Sequence, residues 1–257
     1  MYLSIQFWIS IGFAMMGMLL CLSGIFMHVF LYGKNKNISH LLLGIGVAPL
    51  IWHVLIYSMI YTREIQYYPQ MYNKGIPFYY LVAPCFYFYV RLKIDPARPI
   101  GKYWMVHIIP FCLGMIDIVP YALASSEEKN KLLQLLVKDI PTGFKHRYGY
   151  VDQQFHYILR FLLAVFYVIG QWRILYLAEG IGNKLKNRVL LFNVIYTTYL
   201  LLQCSMVVAI VFNNQQEAYI LKSLDKLIWV SFSFLLFSVW FFADAVNKVR
   251  SAWRHNL

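Results

Sequence analysis

The chain has 257 residues, of which 60% are hydrophobic and 13% charged, with a formal net charge of +12 and a mean hydropathy of +0.56. That is more apolar side chain than a water-soluble core can hide, and it fits neither a disordered chain, nor a disulfide-stapled secreted domain, nor an ordinary cytosolic enzyme. The expected setting is a lipid bilayer and the expected fold is all-α.

A hydrocarbon layer about 30 Å thick takes about 20 apolar residues of helix, and apolar runs of that order recur along the sequence with short polar breaks between them. They predict one domain of seven transmembrane helices over 5–32, 41–61, 76–92, 103–124, 157–178, 189–212 and 227–246. No Lys or Arg precedes the first run and no small-residue cleavage site follows it, so it is expected to stay as a membrane helix. It carries Ser10, Ala14, Gly17, Cys21 and Gly24 alternately four and three residues apart, a seam of small groups that lets a neighbouring helix come close. His28 continues the seam by four residues and is expected to hydrogen-bond a neighbouring helix. The third run, IPFYYLVAPCFYFYVRL, is the shortest, carries Pro77 and Pro84, and is expected to slant or break. Pro49, Pro110 and Pro120 also fall inside predicted spans, where proline frees carbonyls and bends helices. The four cysteines, Cys21, Cys85, Cys112 and Cys204, all lie in spans and read as packing residues.

Between the fourth and fifth spans lies the longest connection, 125–156. Ser125 and Glu128 fit a capping box, after which Leu132, Leu133, Leu136 and Ile140 recur on one helix face. A short amphipathic helix on the membrane surface is expected there, followed by an aromatic stretch, TGFKHRYGYVDQQFHY, that would cover the bundle.

Counting Lys and Arg by alternate loops orients the chain. One set of ends holds thirteen cations against Asp95 and Glu179, and the other nine cations against seven acids. The cation-dense set is expected in the cytoplasm, which puts the N-terminus outside and the tail VNKVRSAWRHNL inside, in a multi-pass protein of the inner (cytoplasmic) membrane. The charge then reports topology and attraction to anionic lipid rather than nucleic-acid binding.

Ionisable groups at membrane depth are costly and point to function. Asp117 in the fourth span and Arg160 in the fifth lie at depths differing by about 6 Å, and an ion pair between them is expected. His53 and Gln203 would complete a polar pocket open to the outside and walled by Tyr79, Tyr80 and the aromatic loop. No span lysine serves a retinal, and no H-E-x-x-H, C-x-x-C, G-x-S-x-G or P-loop pattern occurs, so neither metal nor cofactor is expected. A bis-histidine haem through His28 and His107 is a minor alternative.

Three stretches, PFYYLVAPCFYFYVRLKIDP at 77–96, HIIPFCLGMIDIVPYAL at 107–123 and FHYILRFLLAVFYVIGQWRIL at 155–175, together resemble the membrane-embedded N-terminal module of membrane-bound AraC-type transcriptional regulators. A similar membrane module preceding a histidine kinase would look much the same. The resemblance implies a seven-helix bundle followed by a cytoplasmic helix-turn-helix domain, which SAWRHNL does not supply. The resulting expectation is a non-enzymatic signal-input module that answers an outer-side stimulus. It would act through a cytoplasmic partner or a lost C-terminal helix-turn-helix domain, with no direct nucleic-acid binding of its own. The rival readings are a small transporter or channel using the same polar groups, and a lipid-acting enzyme with His107 or His156 as base.

Overall fold

The computed structural model describes residues 5–97, 100–138, 146–212 and 216–254, and the side chains among these outside 205–227 and Arg254. The described chain is helical: α1 (Ile5–Asn35), α2 (Ile38–Tyr61), α3 (Ile76–Ile94), α4 (Ile109–Asp117), α5 (Val119–Leu123), α6 (Ser126–Lys138), α7 (Gln153–Tyr176), α8 (Asn183–Phe212) and α9 (Gln216–Arg254). Among the described residues β-pairing is confined to an isolated bridge between Arg147 and Asp152. Among the described residues five segments are long and apolar enough to cross a membrane: α1, α2, Trp104–Leu123, α7 and Ile228–Trp253 of α9. Their outward faces carry large apolar side chains such as Phe26 (73% exposed) and Phe166 (71% exposed). Such faces suit contact with lipid chains and would drive aggregation in water.

The prolines divide into two kinds. Pro77, Pro110 and Pro120 stand in the first turns of α3, α4 and α5, where the missing N–H has no helical partner to lose. Pro49 and Pro84 lie inside α2 and α3, which continue past them. The third run, expected to slant or break, is therefore one unbroken helix. The fourth, predicted as one span bent by Pro110 and Pro120, is divided into a 3-10 turn at Trp104–Ile108, α4 and α5, with Ile118 between the last two. The reason is local: Pro120 offers no N–H to the Ile116 carbonyl, so the ladder stops there.

The small-residue seam of α1 is buried throughout, and it faces α9. A Cβ at Gly17 would stand 2.8 Å from the Phe234 ring and one at Gly24 2.5 Å from the Phe241 ring. Between them the Cys21 thiol donates to Ser238 Oγ at 3.1 Å. Gly46 of α2 admits Phe86 of α3 in the same way, with a Cβ-to-ring distance of 2.5 Å. Phe86 in turn meets Phe192 and Tyr196 edge-on at 5.3 and 4.8 Å between ring centres, and Phe237 at 5.9 Å. Lipid removes the hydrophobic drive between helices, so close packing of this sort is what holds them.

A second apolar cluster lies beneath α6. Ser125 accepts from the Glu128 N–H and both its N–H and its hydroxyl donate to the Glu128 carboxylate, which closes the capping box. The helix then lays Leu133 and Leu136, both fully buried, against Ile60, Ile65, Tyr72 and Tyr148. Tyr121 ties α5 to the same layer by donating to the Pro69 carbonyl at 2.7 Å. Burial pushes the phenol groups of Tyr72 and Tyr148 up, so both stay protonated.

At the opposite end of the bundle His28 of α1 and His40 of α2 share a hydrogen bond, Nδ1 to Nδ1 at 2.9 Å, and His28 stacks on Phe241. His107 bonds instead to the Tyr167 hydroxyl and meets Phe88 edge-on. The two histidines considered for a haem thus have separate partners.

Candidate functional site

Between α2, α3, α7 and α8 runs a narrow cleft of about 50 Å³, room for roughly three or four waters. His53 comes from α2, Tyr79 and Tyr80 from α3, Arg160 from α7 and Gln203 from α8. Five of the six residues singled out from the sequence as a pocket therefore line one cavity. The sixth, Asp117, stands behind it.

Each side chain is held by its helix and by a neighbour. The Arg160 guanidinium lies over the rings of Tyr79 and Tyr157, 4.9 and 5.1 Å from their centres, in cation–π geometry. The His53 ring meets Tyr79 edge-on at 5.1 Å and stacks on Tyr57 at 5.9 Å. Gln203 donates its amide N–H to the Tyr199 hydroxyl one turn away on α8. Tyr196 and Tyr199 are 2% and 1% exposed, and both line the cleft.

The ion pair expected between Asp117 and Arg160 is replaced by another. Asp117 Oδ2 bonds His156 Nε2 at 2.8 Å, while Oδ1 accepts from the backbone N–H of Tyr150 at 2.8 Å and of Val151 at 2.9 Å. Depth explains the exchange. His156 precedes Arg160 by one helical turn, about 6 Å, which is the offset that separates Asp117 from Arg160, so the imidazole sits level with the carboxylate. Arg160 is left without a carboxylate partner among the described residues, where Lys131–Glu127, His156–Asp117 and Lys248–Asp244 form ion pairs.

The imidazole also reaches the cleft, because its Nδ1 lies 2.8 Å from the Tyr80 hydroxyl. With Nε2 donating to the carboxylate, Nδ1 is the acceptor and Tyr80 the donor. A string of hydrogen bonds thus runs from the loop backbone at Tyr150 and Val151 through Asp117, His156 and Tyr80 to the cavity wall. Gly149 makes the approach possible: a Cβ there would fall 2.2 Å from the Asp117 carbonyl oxygen and 2.4 Å from Oδ2. The described loop residues 146–152, expected as part of the wall, do not line the cleft. They are joined to it through Asp117.

Sequence reasoning missed His156 as the partner of Asp117 and Tyr157, Tyr196 and Tyr199 as wall residues. The signal for the first was present, since Gln153, His156, Tyr157 and Arg160 recur at three- and four-residue steps on one face of α7. Gln153 extends that face to α3's entry by donating to Asn73 Oδ1 at 3.2 Å. Among the described residues no group of three or more His, Cys, Asp or Glu side chains is placed to hold a metal ion.

No protein-family model, curated protein or solved structure matches the chain.

Proposed function

We propose that the chain is a non-enzymatic, seven-helix signal-input module of the inner membrane, with its N-terminus outside and its C-terminus in the cytoplasm. The five apolar segments would be joined by α3 and α8 as the remaining crossings. Nineteen residues of α3 span about 28 Å at 1.5 Å per residue, close to the hydrocarbon thickness. Retained polar groups at this depth belong to the interior of a bundle or to a water-filled cavity, and here five of them line one cleft.

The observation that carries the reading is the hydrogen-bonded string from the cleft to the loop. A stimulus that binds the cleft in one arrangement better than another shifts the balance between them. Tyr80, His156 and Asp117 give that shift a route to the loop end of the bundle, and Pro49 and Pro84, each removing one N–H from the interior of its helix, give α2 and α3 a place to flex. Output would pass to a cytoplasmic partner or to a helix-turn-helix domain, as the resemblance to membrane-bound AraC-type regulators implies.

The test is transcript profiling of the native host against a strain lacking the chain and a strain carrying Asp117→Ala, with insertion verified by membrane fractionation. A set of genes altered in both strains is expected. Unchanged transcripts in both, or solute flux into proteoliposomes holding the purified chain, would replace this reading with a transporter. Fusing a cytoplasm-dependent fluorescent reporter to Leu257 checks the orientation, and a dark fusion would reverse it.

A further inference from the structure

We infer that the cleft takes a small monocarboxylate with an apolar body, bound through the Arg160 guanidinium. The inference rests on the cleft being the module's input site and names the chemistry of what enters it.

Charge is the first argument. Among the described residues the cleft wall contains Arg160 and no acidic residue, and the carboxylate nearest in the hydrogen-bonded string, Asp117, is occupied by His156 and two backbone amides. A cation at membrane depth costs several kcal/mol unless it is paired. The Tyr79 and Tyr157 ring faces offset part of that cost, but they leave the planar fork of N–H donors without an acceptor among the described residues. One monovalent anion completes the charge balance, whereas a phosphate dianion would leave a negative charge over.

The second argument is the set of polar groups around that cation. Tyr196 is 2% exposed and its side chain lines the cleft. The Tyr199 hydroxyl accepts from Gln203 and keeps its own hydrogen to give. Buried hydroxyls ordinarily find partners, and these two supply donors beside a guanidinium. Two hydroxyl donors and a bidentate fork suit the two oxygens of a carboxylate.

Size and lining give the rest. A space of about 50 Å³ admits a headgroup of about four heavy atoms, and the Leu50, Val82 and Ala83 side chains of the wall suit an aliphatic or aryl body over a sugar or an amino acid. The carboxylate has two sources, a dissolved organic acid or a fatty acid of the bilayer.

The experiment uses the purified full chain in nanodiscs. Thermal unfolding is followed with hexanoate and benzoate, with hexanamide and benzamide as uncharged counterparts, with chloride and phosphate, and with oleate doped into the lipid. Saturable stabilisation by at least one carboxylate, absent for the amides, is expected. Arg160→Gln should weaken it by about thirtyfold or more, the size seen when one partner of a buried charge pair is removed. Arg160→Lys keeps the cation without the fork and should retain part of the response. Gln203→Glu places a carboxylate in the cleft and should abolish the response while raising the unfolding temperature, which keeps the test decisive should Arg160→Gln misfold. A response to oleate alone assigns the bilayer as source, and one to hexanoate or benzoate assigns water. Equal stabilisation by amide and acid, equal stabilisation by chloride, or no stabilisation at all overturns the inference. If no carboxylate binds while the transcript response persists, the site assignment falls and the signalling role stands. If carboxylates bind through Arg160 while transcripts never change, the reverse holds.

Discussion

Asp117 and His156, 39 residues apart in the chain, meet at 2.8 Å where the end of α4 passes the first turns of α7. Three donors converge on that one carboxylate, two of them backbone amides with no other partner among the described residues. Asp117→Ala removes their acceptor, and a hydrogen bond to a charged group contributes about 1.5–3 kcal/mol, but Tyr150 and Val151 are exposed and water takes up part of the loss. A loss of about 1–3 kcal/mol is expected in denaturant unfolding of the purified protein. Asp117→Asn keeps an oxygen for the amides and should cost less than half of that. Its NH₂ would face His156 Nε2, forcing the imidazole hydrogen to Nδ1 and reversing the bond to Tyr80. Histidine ¹⁵N shifts read that exchange directly.

Gly149 predicts a complementary result. A Cβ 2.2 Å from the Asp117 carbonyl oxygen cannot be accommodated, and the neighbour is backbone, so the loop must move away. Gly149→Ala is expected to expose the Tyr150 and Val151 amides to hydrogen exchange while leaving the α1–α9 seam protected. Unchanged exchange at both amides would contradict the assigned contact.

Gly24→Ala tests the seam. The new methyl would stand 2.5 Å from the Phe241 ring, and overpacking of this kind costs about 1–3 kcal/mol. Gly12, on the same helix but with open space around it, is the control: Gly12→Ala should be neutral or mildly stabilising, since alanine favours the helix by about 0.8–1 kcal/mol. Thermal unfolding in detergent compares the two.

The apolar run lengths made the helices readable, and the three-and-four spacing made the α1 face readable, because both depend only on local geometry. The same is true of Ser125 and Glu128. The α7 face carrying His156 and Arg160 was readable in that way too, but which of the two meets Asp117 was not, since it depends on how α4 and α7 lie beside each other and so on contacts distant in sequence. Tyr157, Tyr196 and Tyr199 were hidden for another reason. Among 21 tyrosines, a ring that lines a cleft and one that anchors a helix at the lipid surface have the same spacing, and only the positions of neighbouring helices separate them. The break at Ile118 followed from Pro120 alone, yet Pro84 did not break α3, so proline in a span marks a possible end whose outcome packing decides.

A pH dependence is expected at α6. Hydrogen bonds from the Ser125 backbone and hydroxyl hold the Glu128 carboxyl below its ordinary value. A carboxyl so lowered contributes stability above its unfolded value and loses it as pH falls through the folded one, so the start of α6 should loosen below about pH 4.5. Amide exchange at Ser125 and Glu128 should rise there, and Glu128→Gln should flatten the profile.

The α1 seam fits the ring-bearing face of α9, and these are the first and last described helices, with α1 making its most extensive helix contact there. During translation, then, α1 is made long before the face it packs on, and its glycine groove stays empty until the ribosome delivers residues 228–245. A nascent chain halted before that point offers a bare groove to other helices.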